Sequence, residues 1–459
     1  MQPYDEIKAY SDDVCRQIRW KKAKPLVAAE IENHIRDQRD AYRQAGDDEA
    51  AATQKAVLQM GDAVSVGLAL DKTHRPRPQW PLIALSGGLM AVGAFFTYLI
   101  AAAGYSDIAF SGTPYLLAFG IFILCYQLDF TLLGRHPMKI YFGVLAVSLL
   151  GLLLGTGVNG RLVWVMGQAS VTLSYLSLVF PLVFALLVYA MHGKGYGGIL
   201  MCGLGFFPLT MVLMLVPTLL GQMMFTLSSL TVLCFAIAKG WFEVSKKGGL
   251  LLVLAPTAAV FVLGLCFALQ NWWHRISVFL NPYQDPMGAG YVNSLIRAFL
   301  SQAVFWGQGA LPQNLPDIGR LPGISTDYAL VYFIHRFGFA MLLGIALCIT
   351  LFSVLSLRGA LRQKSLLGAL IALSVLLTFI LQSVFYIIGN LGYGLVASLS
   401  LPFVSYGRTA LFINAALTGF MLSVFRTGDI YKDGAALRQP GQPLFSYENG
   451  SLIIHLKRE

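Results

Sequence analysis

The sequence predicts an all-α polytopic membrane protein of about ten transmembrane helices. A large outer loop falls between spans seven and eight, and a small cytoplasmic helical domain comes first. Three observations lead there. Of 459 residues, 56% are hydrophobic and only 12% charged, about half the charge of a soluble domain. The apolar runs are continuous over about 20 residues, the length of a helix across hydrocarbon, whereas barrel strands alternate in polarity. The charge is also unevenly placed. Residues 1–79 hold 13 Lys/Arg and 13 Asp/Glu, and the remainder holds 20 and 10, so the net charge of +10 falls on the membrane part. A soluble enzyme, a disordered chain and a disulfide-stapled domain are excluded. The basic excess fits cytoplasmic loops facing anionic lipid. No basic patch interleaved with aromatics argues for nucleic acid.

Residues 1–79 read as a helical prefix domain. Ile7, Val14 and Ile18 fall on one helical stripe, and Val27, Ile31 and Ile35 on another that opens with Pro25 in its first turn. Gly46 stops the second helix, Asp47 caps a third, and Gly61 ends it. A fourth runs over about 62–73 to the breaker His74-Arg75-Pro76-Arg77-Pro78. The pattern resembles the prefix domain found ahead of some bacterial permeases. The first apolar run starts near Trp80, so no signal peptide is expected.

Ten spans follow by apolar run length, near 80–102, 114–133, 138–156, 169–191, 198–217, 219–238, 248–270, 328–347, 367–388 and 403–425. Together they make a membrane domain of 80–426, and 427–459 is a cytoplasmic tail. Trp80, Trp241 and Trp272-Trp273 sit at span ends, where interfacial aromatics belong. With the N-terminal domain inside, the inner connections carry Arg135, Lys139, Lys194, Lys239, Lys246, Lys247, Arg358, Arg362 and Lys364. The outer ones carry only Arg161, Arg275, Arg297 and Arg320. Both termini are then cytoplasmic. The outer loop of 271–327 is long enough to be functional, and its stretch 294–306 is apolar enough to lie in the interface or re-enter the membrane. In the tail, Asn449-Gly450 between two apolar stretches reads as a hairpin turn.

Cys125, Cys202, Cys234, Cys266 and Cys348 lie in apolar segments and Cys15 in the prefix, with no metal-ligand spacing. They read as small buried hydrophobes. Four charged residues fall inside or at the rim of spans: Asp129, Asp327, Arg336 and Arg408. Such groups are expensive in lipid and are functional candidates by default. Asp129, close to Arg135 at the inner face, reads as a structural ion pair. Asp327 stands at the outer end of the eighth span and faces external chemistry. Arg336, nine residues along the same span, reads as too deep to pair with it, whereas Arg408 shares its depth.

Several motifs resemble one family. Asn281-Pro282-Tyr283-Gln284-Asp285-Pro286-Met287-Gly288-Ala289-Gly290-Tyr291 is similar to the NPxxDPxGAGYQ signature of the FtsW/RodA/SpoVE proteins of shape, elongation, division and sporulation. Leu401-Pro402-Phe403-Val404-Ser405-Tyr406-Gly407 is similar to their LPFxSYGGSS. Thr326-Asp327-Tyr328 with Gly338-Phe339 is similar to HTDFIF…EExGF, and Val158-Asn159-Gly160 with Trp164 to NGARRW. The resemblance covers about 80–426.

It implies a ten-helix bundle with a large fourth outer loop, in the cytoplasmic membrane of a bacterium. It also implies polymerisation of a lipid-linked disaccharide-pentapeptide into peptidoglycan strands, with a class B penicillin-binding transpeptidase as partner. The family's essential carboxylate falls on Asp327. The donor sugar leaves as a polyprenyl pyrophosphate with inversion, so the reaction needs a base at the acceptor hydroxyl and cations at the leaving group. Asp327 is the candidate base. Arg161, Arg275, Arg297 and Arg408 are candidate pyrophosphate contacts, since arginine is permanently charged and bidentate. A divalent cation is the alternative source of that charge, and no ligand cluster in the sequence demands one. The motif residues Trp164, Asp285 and Ser405 join them as candidate substrate contacts.

The chain departs from the family pattern. QPSE becomes Thr172-Leu173-Ser174-Tyr175, and the arginines of NGARRW become Leu162-Val163 behind a displaced Arg161. EE becomes His335-Arg336, PxTG becomes Leu395-Val396-Ala397-Ser398, and GGSS becomes Gly407-Arg408-Thr409-Ala410. Three readings therefore stand: a peptidoglycan glycosyltransferase, a catalytically impaired scaffold or regulator of a transpeptidase, and a lipid-linked precursor translocator.

Overall fold

The computed structural model describes residues 3–428 except 22, 77, 106–108, 159–160, 167–168, 217, 314, 316 and 395–398, and also strands 445–448 and 451–454. The chain divides into two compact units, Met1–Pro78 with Arg426–Glu459, and Gln79–Phe425.

The first unit carries four helices, α1 (Pro3–Gln17), α2 (Lys24–Gln44), α3 (Glu49–Met60) and α4 (Ala63–His74). The predicted stripes are its core: Ile7, Val14, Ile18, Val27, Ile31 and Ile35 are all buried. Asp48, not the predicted Asp47, caps α3 by accepting the Ala51 amide at 3.3 Å. Gly46 and Gly61 both take the positive φ of a helix stop (106° and 83°). Asp71 is buried at the rim of this core and accepts the Arg19 amide at 2.8 Å and the Arg75 guanidinium at 2.9 Å.

The second unit opens with α5 (Trp80–Ala102), α6 (Thr113–Gln127), the short α7 (Thr131–Arg135) and α8 (Pro137–Leu154). The predicted second span is thus broken. Its helix covers 15 residues, and Asp129 begins α7 by accepting the Thr131 amide at 3.0 Å and its hydroxyl at 2.9 Å. Next come three antiparallel strands in sequential order, β1 (Thr156–Val158), β2 (Arg161–Met166) and β3 (Ala169–Thr172). The predicted fourth span, starting at 169, is corrected accordingly. Val163, Val165, Val171 and Thr172 are β-branched and suit a pleated ladder, and the helix begins only at Leu176.

That helix is α9 (Leu176–Met191), followed by α10 (Gly195–Leu215), α11 (Leu219–Ala238) and α12 (Lys246–Asn271). Between them and the next long helices lie α13 (Trp273–Leu280), α14 (Tyr291–Ser301) and α15 (Ala329–Phe337). The unit closes with α16 (Phe339–Leu361), α17 (Leu366–Asn390) and α18 (Arg408–Thr427). Nine helices among the described residues are long and apolar enough to cross a membrane, and α6 is the shorter tenth. α9 and α17 are buried along most of their length and form the centre. α12 lies at the margin, with Gly249 the single buried residue among its described side chains.

The predicted eighth span, 328–347, is also corrected. Gly338, at φ 89°, separates α15 from α16, and a Cβ there would stand 2.4 Å from the Phe305 carbonyl oxygen. The spanning helix is α16, which begins eleven residues later than predicted. Its first amides, on Phe339 and Ala340, donate to the Val304 and Phe305 carbonyls at 3.0 Å each, so the loop segment at 304–305 supplies partners a helix start lacks. Arg336 is therefore not deep in a span. It is exposed and bonded to Gln308. In the tail, β4 (Phe445–Glu448) pairs with β5 (Ser451–Ile454) around the predicted turn, whose residues 449–450 lie outside the described set.

Candidate functional site

The site is organised by one face of α17. Gln382, Tyr386 and Asn390 recur at i, i+4 and i+8, so they share a helical stripe, and none is more than 1% exposed. A buried donor must find a partner, and these donors find theirs in two separate motifs, while Gln382 Oε1 and Asn390 Oδ1 are buried without one among the described residues. The Gln382 side-chain amide donates to the Ser400 carbonyl at 2.6 Å. The Tyr386 hydroxyl donates to the Thr326 carbonyl at 3.4 Å. The Asn390 amide donates to the Asp327 carbonyl and to the Tyr386 carbonyl, both at 3.0 Å. The stripe thereby draws the 326–328 turn and the 400–407 segment to one helix.

Asp327 sits half-buried in that turn, just before α15. The turn closes when the Thr326 and Tyr328 amides donate to the Gly323 carbonyl at 3.0 Å each. Gly323 adopts φ 73°, and a Cβ on it would lie 3.6 Å from the Asp327 Cβ and Oδ2, so glycine both permits the turn and keeps the carboxylate's flank open. The 400–407 segment is equally constrained. The Ser405 hydroxyl accepts the Leu401 amide at 2.7 Å. Phe403 takes φ 65°, a conformation that costs a non-glycine residue about 1–3 kcal/mol and persists where surroundings impose it. Gly93 of α5 packs so closely beneath it that a Cβ would stand 2.1 Å from the Phe403 carbonyl oxygen. Tyr175, at the start of α9, borders Gly407: its hydroxyl would lie 3.5 Å from a Cβ there.

The cation brought to this end of α17 is Arg297 of α14. Its Nε donates to the Gly392 carbonyl at 3.0 Å, and its guanidinium lies 4.5 Å from the centroid of the Tyr393 ring. Asn293, one turn earlier, clasps Gly394 through its amide nitrogen (2.8 Å) and oxygen (3.3 Å). One Arg297 terminal nitrogen, Nη2, is buried without a partner among the described residues.

The other predicted site residues are not gathered here. Asp285 serves its own loop, accepting the Gly288 amide at 3.0 Å and the Ala289 amide at 2.9 Å, with His274 at 3.8 Å. Arg275 is exposed on α13, and Arg408 is exposed at the start of α18. Trp164 stands in β2 opposite Val171 and packs toward Gly151 of α8. Arg161 begins β2, paired with Val158. Residues 159–160 and 395–398 lie outside the described set. His335 and Arg336, the reversed charge pair, bond to Ala310 and Gln308. Among the described residues no three His, Cys, Asp or Glu side chains converge, so the donor set does not fit a protein-held metal.

Sequence reasoning missed Gln382, Tyr386 and Asn390 because it weighed only charged residues within spans. The signal was available: three polar side chains at helical spacing inside a 25-residue apolar run.

Comparison with known proteins places these features. The family model for the FtsW/RodA/SpoVE cell cycle proteins matches residues 79–429. A probable peptidoglycan glycosyltransferase FtsW of Trichlorobacter lovleyi is 28% identical over 251 residues, covering 52% of this chain and 63% of that one. Stage V sporulation protein E of Bacillus subtilis is 32% identical over 157 residues, covering 33% and 41%. The chain thus spans less than two thirds of each relative. Two solved structures share the fold. One, described as the structural coordination of polymerization and crosslinking by a peptidoglycan synthase complex, matches at TM-score 0.58 and 21% identity, over 78% of this chain and 99% of that one. The other is the rod shape determining protein RodA of Thermus thermophilus, at TM-score 0.52 and 19% identity, over 78% and 98%. With its signature motifs joined across α17 and the family model matching most of its length, this multi-pass membrane chain belongs to the FtsW/RodA/SpoVE family of cell cycle proteins.

Proposed function

We propose that this protein is a peptidoglycan glycosyltransferase that polymerises a lipid-linked disaccharide-pentapeptide at the outer face of the cytoplasmic membrane. The observation that carries the reading is the fastening of Asp327 and Arg297 to the same end of α17, one through Asn390 and the other through Gly392. That puts an acid–base group and a permanent cation at one rim. Asp327 accepts the proton of the acceptor hydroxyl as its oxygen attacks the donor's anomeric carbon. The bond from that carbon to the pyrophosphate oxygen breaks with inversion, and the Arg297 guanidinium meets the departing charge. No step is routed through a metal.

The reversed charge pair favours an active enzyme over an impaired scaffold, because His335 and Arg336 are engaged by the 308–310 loop segment. Both termini are read as cytoplasmic from the Lys/Arg asymmetry, and a class B penicillin-binding transpeptidase is the proposed partner. Purified protein in vesicles given fluorescent lipid-linked disaccharide tests the reading. Polymer is expected. Movement of the lipid between leaflets without polymer would replace it with a translocator, and neither activity would leave the scaffold.

A further inference from the structure

One side chain of the α5–α6 connection grips the stretch of loop that leads to Asp327. Tyr105, just past the end of α5, is half-buried. Its hydroxyl donates to Asp317 Oδ1 at 2.6 Å, across 212 residues of sequence. The same oxygen accepts the Gly319 amide at 3.1 Å, so the bond ties down the helical turn at 318–320 as well as the carboxylate. The Tyr105 ring lies against that turn: a Cβ on Gly319 would stand 2.7 Å from its Cε1. Backbone bonds then run on to the site. The Leu321 amide donates to the Ile318 carbonyl at 3.0 Å, the Ile324 amide to the Leu321 carbonyl at 3.3 Å, and the Thr326 and Tyr328 amides to the Gly323 carbonyl. Ile318, Leu321 and Ile324 are buried along this run. Beyond Asp327, the Tyr105 ring meets the Tyr332 ring of α15 edge-on, with centroids 5.7 Å apart and planes at 69°. Phe110 and Ser111 of the same connection border a cavity of about 20 Å³ together with Ser325 and Tyr406.

We propose that Tyr105 is a positioning residue for Asp327, clamping the arm of chain that enters its turn at Asp317 and the arm that leaves it at Tyr332. Both arms are short in sequence, so one ring bridges the ends of the stretch that carries the carboxylate. Between α14 and α15 the described residues form a single helical turn, at 318–320. A loop with so little regular structure keeps its place through ties of this kind. A reacting group displaced by about 1 Å can lose on the order of a hundredfold in rate, so a tie at the loop is felt at the carboxylate. A hydroxyl bonded to a carboxylate makes a stronger tie than a neutral pair, and the packing of the ring on Gly319 fixes where that hydroxyl stands. The clamp itself follows from the loop geometry, and only its effect on rate rests on the proposed reaction.

Tyr105→Phe removes the hydroxyl and keeps the ring. Asp317→Asn keeps an oxygen able to accept both the Tyr105 and the Gly319 bonds, and Asp317→Ala removes it. The full-length protein in vesicles is compared with these three variants and with the Tyr105→Phe/Asp317→Ala pair. Two readouts are taken: hydrogen exchange over 321–328, and polymerisation kinetics with fluorescent lipid-linked disaccharide. Tyr105→Phe is expected to speed exchange of the Thr326 and Tyr328 amides and to lower kcat, each roughly fivefold, with KM within about twofold and the thermal midpoint unchanged. Asp317→Ala shows at least the same effects, and Asp317→Asn behaves as wild type in both. The pair falls no further than Asp317→Ala alone, because the two residues act through one bond. Unchanged exchange in Tyr105→Phe would overturn the clamp. Faster exchange at the wild-type kcat, additive losses in the pair, or a loss that merely follows the unfolded fraction would overturn the positioning role. If the wild type makes no polymer, the proposed function fails, and the exchange comparison alone decides the clamp.

Discussion

Asp327 owes its position to backbone bonds: its carbonyl is held by Asn390, and its turn closes on the Gly323 carbonyl. The residue itself is half-buried. Arg297 and Arg408 are both arginines of candidate loops, but only the first is built in. Arg297 is anchored at Gly392 and stacked on Tyr393, whereas Arg408 is exposed. The account therefore predicts opposite outcomes in a polymerisation assay. Arg297→Ala lowers the rate tenfold or more, about 1.4 kcal/mol of barrier. Arg408→Gly leaves it near wild type. A rise in rate on Arg408→Gly would instead mean that this cation restrains Asp327.

At the scale of elements, sequence reasoning worked where physics is local or repetitive. The long apolar runs, the stripes of α1 and α2 and the helix stops at Gly46 and Gly61 are set by solvent and by backbone sterics, and they read directly. It failed where a neighbour decides. Apolar run length does not distinguish a strand from a buried helix, so β3 was read as the start of a span. The end of α15 depends on the Phe305 carbonyl packed over Gly338, a partner 33 residues away. In the site, the two motifs were legible separately, but their meeting on α17 was not, because run length ignores three polar residues within an apolar helix. Asn390→Leu tests that stripe. It strands the Asp327 carbonyl, which costs about 1–3 kcal/mol of stability for a buried polar group left unpaired, and it lowers kcat more than it raises KM. Equal kcat with normal folding would show that the bond positions nothing. The N-terminal helices offer a separate check. The Arg19 amide and then the Arg75 guanidinium hold the Asp71 carboxyl below the usual carboxylate range. The folded state thus favours the ionised form. Its contribution is complete above about pH 4, the value of an unfolded aspartate, and is lost as pH falls through the lower folded value. Thermal unfolding of residues 1–78 should lose stability in that acid window, and Asp71→Asn should flatten the dependence.

For the whole molecule, the proposed topology with both termini cytoplasmic, drawn from the Lys/Arg asymmetry, predicts that a reporter fused after Arg358 at the end of α16 reads cytoplasmic and one near Pro312 reads external. An external signal at Arg358 would break the ten-helix topology. Under the proposed function the Asp327 rim faces outward and forms glycosidic bonds with Asp327 as the base. The most direct measurement is polymer length and yield from fluorescent lipid-linked disaccharide, with purified wild-type protein and Asp327→Asn compared at equal folded fraction. The account predicts glycan polymer from the wild type and none from Asp327→Asn, and polymer from Asp327→Asn at the wild-type rate would contradict it.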